Sequence, residues 1–338
     1  MLSRTLQHLP LLVGLAHAHS CIDFNAPITV TAPSYIPNFT EFGSHFDSVQ
    51  FLADLTTRVT EKTVPPFSGS ENVTVTFSID ASFCSKDGAF SESQDVQILT
   101  HGVGFVSLKN TIVFGLGDTP LTLTLSPEQD KTYWDFGGQH SKYNYIRPAT
   151  EAGYATLHWS RPGTGNSSSA NPYSILQADI QAAVLIEITK RFRSGELHGD
   201  LPHPNGRVIH VGHSFGSIMS NVLVAKHPEL SDGVVLTGFS HNSSFPPGFP
   251  ISTNFHLAKE NRPELWGNYS TGILTWGDEL ALQYNFLKHP YFEPEVLAKA
   301  EETKAPFAVS EFLTLWLPSL VAADFTGPVL VSTRAMDD

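Results

Sequence analysis

The sequence predicts an α/β fold, with a doubly wound and mostly parallel sheet covered by helices on both faces. Short apolar runs alternate along the chain with amphipathic helical segments, which is the order expected of such a sheet. Most of these runs are apolar at nearly every position, as is typical of strands buried on both faces. The chain has 338 residues, 41% of them hydrophobic, and is therefore long enough to bury a large core.

The predicted elements follow one another without an internal repeat. Residues 26–45 are rich in Pro, Thr and Ser, which favours an extended lead-in. The block from about 241 to 318 is rich in aromatic residues and prolines, and it separates two predicted strands, so we expect a helical lid inserted there. The predicted strands are 72–83, 96–100, 153–159, 207–212, 233–238 and 328–332, and the predicted helices are 49–60, 143–152, 178–192 and 217–226.

Charge and composition exclude several classes of protein. Lys and Arg number 20 against 33 Asp and Glu, so the net charge is −13, and the basic residues are scattered. A binder of nucleic acid phosphates is therefore not expected. With 25 glycines and 23 prolines, the chain is also unlike a coiled coil or another fibrous protein.

The N-terminus has the three parts of a secretory signal peptide. Arg4 is basic, Leu9 to Leu15 is apolar, and Ala16-His17-Ala18 is a cleavage pattern. The alternative is an ordinary buried segment. The pattern predicts a signal peptide at 1–18 and a mature domain at 19–338. Because no later stretch has the apolar length of a membrane span, we expect a secreted protein with no membrane span.

Glycosylation sequons and cysteines agree with an extracellular location. The two cysteines, Cys21 and Cys84, lack metal or redox spacing, and they form either one disulfide or two free thiols. The predicted N-glycosylation sites are Asn38, Asn72, Asn166, Asn242 and Asn268.

The motif with the clearest chemistry is Gly212-His213-Ser214-Phe215-Gly216, which follows a predicted strand and precedes a predicted helix. Such a G-x-S-x-G turn is so tight that its glycine positions admit no side chain, and it exposes the serine hydroxyl above the sheet. The helix N-terminus adds free N–H groups and a positive dipole end for a developing negative charge. The same five letters also occur by chance, so the strand and helix around them carry the interpretation.

Several motifs in order resemble the α/β-hydrolase superfamily, and in particular its secreted fungal, hydrolase-1-like serine hydrolases. The matching segments are 101–105, 133–135, 153–157, 161–167, 211–217 and 231–240. The resemblance implies that Ser214 is the nucleophile and that the backbone N–H groups of Val103 and Phe215 form the oxyanion hole. His101-Gly102 would build the turn that carries Val103, although it could be a plain strand-ending turn. The side chain of His213 would point away from the reaction.

The chain departs from this family in two places. In this fold the acid and then a histidine follow the nucleophile. Asp337 stands about where the acid belongs, but no histidine follows it, and His289, His241, His256 and His213 are poor substitutes. We therefore expect a sheet that is incomplete at its C-terminal end and a triad without its histidine.

The second departure is an insertion of 24 residues, Val106 to Gln129, between two family motifs. This insertion and the tail after Leu330 both begin with Val-Ser, a dipeptide that the start of an intron could encode. One hypothesis is that both are translated introns of a truncated gene model. The other is a real surface insertion in a short protein.

Three hypotheses about function follow. The first is a secreted serine hydrolase that cleaves a small ester, thioester or amide through an acyl-enzyme on Ser214. The second is a catalytically silent secreted binding protein that keeps the pocket, because loss of a triad member removes several orders of magnitude in rate. The third is a related chemistry on the same fold, since a fold does not determine a function. Aromatic residues of the lid suggest an apolar acyl or aromatic pocket, although core packing also explains most of them. The sequence has no metal-ligand spacing, P-loop or dinucleotide fingerprint, so we expect no metal and no cofactor.

Overall fold

A computed structural model describes residues 19–56, 65–104, 131–138, 141–241 and 248–333. The predicted signal peptide at 1–18, the insertion at 106–129, Asn242 and Asp337 lie outside these ranges. The strands are β1 His19–Pro37, β2 Phe67–Lys86, β3 Val96–Thr100, β4 Ala155–Trp159, β5 Val208–His213, β6 Gly233–Thr237, β7 His256–Leu257, β8 Ile273–Thr275, β9 Phe307–Ala308 and β10 Val329–Ser332. The helices are α1 His45–Thr56, α2 Ile146–Glu151, α3 Ala178–Arg193, α4 Phe215–Lys226, α5 Gly248–Thr253, α6 Ala258–Asn261, α7 Pro263–Trp266, α8 Glu279–Phe286, α9 Pro294–Glu302 and α10 Val309–Thr314.

Within the described residues, a seven-stranded sheet has the order β1-β2-β4-β3-β5-β6-β10. The strands from β4 to β10 in this order pair in parallel, whereas β1 and β2 pair antiparallel at one edge. The predicted α/β fold with a mostly parallel sheet is thus confirmed. Because parallel strands end at the same edge of a sheet, the segments after β3, β5, β6 and β10 all leave from one edge.

Helices cover both faces of this sheet, which explains the continuous apolar runs in the sequence. Helices α3 and α4 pack on one face, against β1, β5 and β3. Helix α2 and the 3-10 turn Lys131–Asp135 pack on the other. Strand β3 contributes side chains to the cores on both faces of the sheet. Val96 and Ile98 belong to the core on the α3 side, and Leu99 belongs to the core around Trp134.

The N-terminal edge is more regular than the sequence predicts. The expected lead-in at 26–45 is largely strand β1, which pairs with β2 from His19 to Pro37. Its buried residues alternate strictly, whereas Pro27 and Pro33 lie at exposed positions of an edge strand, where a missing N–H is tolerated. The alternation of buried and exposed residues in β1 is therefore not recognisable in the sequence, because prolines and small side chains interrupt the apolar pattern. The buried apolar residues of β1 are Phe24, Ala26, Ile28, Val30 and Ala32.

Cys21 and Cys84 face each other in this antiparallel register and are bonded as a disulfide. Of the two alternatives, the structure therefore has the single bridge. The bridge joins residues 63 positions apart. By the chain-entropy argument, a loop of this size contributes about 4 kcal/mol to stability.

Residues 248–328, here named the intervening segment, lie between β6 and β10 in the chain. They contain α5 to α10 and a small antiparallel sheet of order β7-β8-β9. A separate aromatic-rich core holds them together, with Phe255, Trp276 and Phe307 all buried. No helix among the described residues is both long and apolar enough to cross a membrane.

Candidate active site

Ser214 lies between β5 and α4 in a strained backbone conformation, with φ 52° and ψ −117°. Positive φ is costly for a residue with a side chain, typically about 1–3 kcal/mol, and such strain clusters at functional sites. The surrounding structure holds the turn, because Ser214 N donates to Thr237 O at 2.8 Å and Ser217 N donates to Ser214 O at 2.8 Å. The serine is therefore presented at the edge of the sheet where β3, β5, β6 and β10 all end.

Two glycines make this turn sterically possible. A Cβ atom on Gly212 would lie 2.4 Å from the carbonyl oxygen of Gly216. A Cβ atom on Gly216 would lie 1.9 Å from the carbonyl oxygen of Thr100, so α4 approaches β3 as closely as backbone atoms permit. The G-x-S-x-G pattern thus has a packing reason at both of its glycines.

The turn after β3, His101 to Gly104, lies directly beside the serine. A Cβ atom on Gly102 would lie 2.9 Å from Ser214 Cβ. Among the described residues, the backbone N–H groups of Val103 and Phe215 have no carbonyl partner. Phe215 is moreover the first residue of α4, where the helix dipole is positive. These are the two donors that the sequence predicted for an oxyanion hole.

His101 is fully buried behind this turn. Its Nδ1 lies 2.9 Å from Gly102 O, and its Nε2 accepts a hydrogen bond from Arg161 N at 3.3 Å. These contacts require a neutral ring with its proton on Nδ1. Burial, and then the nearby Arg161 guanidinium, hold the pKa of His101 well below its usual value. His101 is therefore a hydrogen-bonding element of the turn rather than a proton acceptor.

The neighbour of the serine, His213, has a ring that packs against other elements. Its Nδ1 lies 2.9 Å from Thr237 Oγ1, and its ring stacks on Tyr133 with 5.3 Å between centroids. A Cβ atom on Gly238 would lie 2.8 Å from its Cε1. The ring is thus packed between the end of β6 and the turn at 131–135.

The other histidines considered from the sequence lie elsewhere. His241 is exposed beside Phe239, and His256 is half-buried in the intervening segment, where burial and Lys304 lower its pKa. His289 contacts Phe292 in the same segment. Within the part of the chain that the structure describes, no histidine nitrogen is hydrogen-bonded to Ser214.

The intervening segment closes on the turn that carries Val103. A Cβ atom on Gly104 would lie 2.9 Å from Trp276 Cη2 and 3.3 Å from Phe286 Cζ, and the φ of Gly104 is +103°. Trp276 is itself fixed by a hydrogen bond from its Nε1 to Asn285 Oδ1 at 2.9 Å. Trp276 is fully buried, so its packing in the core explains why a tryptophan stands at this position. Phe286 is half-buried beside the turn.

A buried ion pair behind the turn was not predicted from the sequence. The side chain of Arg161 is 0% exposed and that of Glu311 2% exposed, and Arg161 Nη1 donates to Glu311 Oε1. Arg161 Nη1 also donates to Gln181 Oε1 at 2.6 Å, and its Nη2 donates to Gly102 O at 3.2 Å. In the sequence, residues 161–167 stand out only as one of the segments that match the family. The partner Glu311 is 150 positions away and has no local signal.

Two further predictions concern the surface and metals. The side chains of Asn38, Asn72, Asn166 and Asn268 are exposed, as N-glycosylation requires. Throughout the described ranges, no group of three or more His, Cys, Asp or Glu side chains is arranged to hold a metal ion.

Together, the sheet order and the strained serine between β5 and α4 define a protein of the α/β-hydrolase class. A family model described as "Alpha/beta hydrolase family" matches residues 98–337, which is well over half of the chain. The chain therefore belongs to the alpha/beta hydrolase family, and the family is one of hydrolases. No curated protein matches the chain.

The solved structures that are similar to this chain have low sequence identity to it. The alpha/beta hydrolase GrgF from Penicillium sp. sh18 is 14% identical, with 77% of this chain and 76% of that chain covered and a TM-score of 0.45. A hydrolase from Pseudomonas aeruginosa PA01 is 15% identical, with 77% of both chains covered and a TM-score of 0.43. A thermophilic esterase from Thermogutta terrifontis is 14% identical, with 76% and 75% covered and a TM-score of 0.41.

Proposed function

We propose that the protein is a secreted serine hydrolase that cleaves an ester, thioester or amide bond of a small molecule through an acyl-enzyme on Ser214. The observation that carries the proposal is the strained Ser214 backbone directly beside Gly102. The N–H groups of the next residues, Val103 and Phe215, have no carbonyl partner among the described residues. A serine held in this way is positioned for nucleophilic attack next to two preorganised donors.

In the proposed reaction, Ser214 Oγ attacks the carbonyl carbon of the substrate and gives up its proton to a base. The carbonyl oxygen becomes an oxyanion that the N–H groups of Val103 and Phe215 stabilise. The alcohol, thiol or amine then leaves with a proton, and water cleaves the acyl-enzyme to release the acid and restore Ser214. Each oxyanion donor is typically worth about 10²–10³ in rate.

Asp337 is the proposed acid. Strand β10 pairs in parallel with β6, and β6 pairs with β5, so the segment after β10 leaves the sheet at the edge where Ser214 lies. Asp337 follows the end of β10 by five positions and is outside the described residues. No histidine follows it in the sequence, so labelling of Ser214 is the direct test of an active nucleophile.

We infer that the intervening segment is the lid of this site and that it favours an apolar acyl group. The half-buried Phe286 lies against Gly104, next to the proposed donor Val103, and Phe249 packs on the Phe286 ring. A carbonyl substrate bound to Val103 N–H would therefore have aromatic surface beside it.

Secretion is part of the same proposal. The predicted signal peptide at 1–18, the disulfide between Cys21 and Cys84 and four exposed sequon asparagines support it. Residues 19–338 would then be the mature hydrolase domain.

The experiment is labelling of the full chain with a fluorophosphonate, which forms a stable adduct with an activated serine. We expect labelling of the wild-type protein and loss of labelling in Ser214→Ala. We also expect the wild-type protein to hydrolyse p-nitrophenyl esters and Ser214→Ala to lose this activity. The matched control is Ser220→Ala on the same helix, whose hydroxyl only donates to Gly216 O. A folded wild-type chain without label or turnover would instead support the silent binding protein.

A further inference from the structure

We propose that Arg161 is a positioning residue of the oxyanion hole and that Glu311, in the intervening segment, holds it in place. The inference rests on the proposed function of Ser214. It assigns to a buried ion pair the task of aiming the Val103 N–H.

The argument begins with one peptide unit. The carbonyl oxygen of Gly102 accepts two hydrogen bonds, one from His101 Nδ1 at 2.9 Å and one from Arg161 Nη2 at 3.2 Å. In a planar trans peptide the C=O of one residue and the N–H of the next point in opposite directions. Two donors that hold Gly102 O therefore also determine the direction of the Val103 N–H, which is the proposed oxyanion donor.

Arg161 also touches the residue that carries the second donor. Its guanidinium carbon lies 4.9 Å from the centre of the Phe215 ring, in a cation–π contact. Phe215 is buried, and its N–H is the first of α4. One side chain thus contacts the peptide group that contains the Val103 N–H, through Gly102 O, and the residue Phe215, which carries the second N–H.

The positive charge adds polarisation to position. A hydrogen bond from a cation to a carbonyl is stronger than a neutral one, and hydrogen bonds polarise one another in a low-dielectric interior. A cation on Gly102 O therefore makes the Val103 N–H a better donor. Asn or Gln at position 161 could not reproduce this effect, since neither carries a charge.

Glu311 is the counterion that stabilises the buried Arg161 guanidinium. Its Oε1 accepts from Arg161 Nη1 and from Gln181 Nε2, the latter at 2.7 Å, while its Oε2 accepts from Ala308 N at 2.8 Å. A buried charge requires such a partner with satisfied hydrogen bonds. With Nη1 held by Glu311 and Gln181, Nη2 is aimed at Gly102 O.

Glu311 belongs to α10, so the oxyanion hole is tied to the intervening segment. Helix α10 docks on the start of α3, because Ser310 Oγ donates to Leu176 O at 2.8 Å and Ala178 N donates to Thr314 Oγ1 at 2.9 Å. A displacement of α10 would withdraw Glu311 from Arg161. The structure thus links the seating of this segment to the orientation of Val103.

The test compares the full wild-type chain with the double variant Arg161→Met/Glu311→Gln. Met fills the aliphatic volume of Arg without a donor, and Gln keeps an acceptor for Ala308 N, so both charges disappear together. The control is Arg193→Met/Asp232→Asn, which removes an ion pair of 2.5 Å near the opposite end of β5.

The first measurement is kcat and KM on a p-nitrophenyl ester and on its thionoester, in which sulfur replaces the carbonyl oxygen. Sulfur is a weak hydrogen-bond acceptor, so the thionoester gains little from the oxyanion hole. We expect the double variant to lose about 10²-fold in kcat on the oxygen ester with KM nearly unchanged, and its preference for oxygen over sulfur to fall by about tenfold or more. A merely structural ion pair would lower both rates equally and leave this preference unchanged.

The second measurement does not require activity. Selective ¹⁵N-valine labelling gives the amide resonance of Val103, which we expect to shift upfield in the double variant and to stay in place in the control. An unmoved Val103 resonance together with an unchanged oxygen preference would overturn the inference. A wild-type chain that hydrolyses neither ester would defeat the proposed function, and the Val103 resonance would then decide the positioning by itself.

Discussion

The turn Gly212–Gly216 around Ser214 is here called the elbow, and the buried side chains of Arg161, Gln181 and Glu311 are called the polar cluster. The elbow and the polar cluster meet at Gly102, but different interactions hold them together. The elbow consists of backbone in close contact, with Gly216 against Thr100 and Gly102 against Ser214. The cluster consists of buried polar side chains, in which Arg161, Glu311 and Gln181 satisfy one another. Steric contacts tolerate no added atom, whereas a polar cluster tolerates change when its charges are changed together. The two regions should therefore respond differently to substitution.

The largest effect is expected at the elbow. Gly216→Ala places a methyl group 1.9 Å from Thr100 O, so α4 must separate from β3. We expect a loss of about 5 kcal/mol or more in the free energy of unfolding, or no soluble protein. Urea unfolding of the purified variant and the wild-type protein measures this loss.

The matched control for the elbow is Gly199→Ala. A Cβ atom there meets nothing within 4 Å, so the expected change is within about 0.5 kcal/mol. If Gly216→Ala were as stable as this control, the close approach of α4 to β3 would be wrong.

The next largest effect is expected in the polar cluster. Glu311→Gln alone leaves Arg161 charged and buried without its counterion, which typically costs about 3–5 kcal/mol. Arg161→Met/Glu311→Gln should recover a large part of that loss, because both charges are then absent. Urea unfolding of the single and double variants measures the coupling, and a double variant less stable than Glu311→Gln would contradict it.

The two regions also differ in how far the sequence predicts them. The elbow is local, because five consecutive residues between a strand and a helix specify the turn. That strand and that helix were predicted within two residues of their bounds. The cluster joins residues 161, 181 and 311, and no local pattern distinguishes a buried arginine from an exposed one. Strand β1 is an intermediate case, since its alternation is present in the sequence but Pro27 and Pro33 interrupt its appearance. Long-range pairing and burial, rather than local preference, determine the parts that were missed.

The smallest expected effect concerns His210 on β5, a second buried polar side chain. It is buried in its neutral form, in contrast with Arg161. Its Nε2 lies 3.0 Å from Thr189 Oγ1 and its Nδ1 lies 2.8 Å from Ser231 Oγ, and burial, followed by Arg193, lowers its pKa to about 3. Arg161 is buried with a counterion, whereas His210 is buried without a charge.

The lowered pKa of His210 makes stability depend on pH. Below a pH of about 6.5 His210 binds a proton in the unfolded chain, whereas in the folded protein it stays neutral down to about pH 3. The free energy of unfolding therefore falls as the pH falls through this range. Between pH 7 and pH 5 this protonation should lower the free energy of unfolding by about 2 kcal/mol.

Urea unfolding at both pH values tests this effect. The loss of stability from pH 7 to pH 5 should be smaller in His210→Asn than in the wild type by that amount. The control Thr189→Val keeps His210 and removes the hydrogen bonds that Thr189 Oγ1 makes with Leu185 O and with His210 Nε2, so it should lower stability by a similar amount at both pH values. An acid sensitivity in His210→Asn equal to that of the wild type would show that the ring does not carry this penalty, and the contrast with Arg161 would then rest on the ion pair alone.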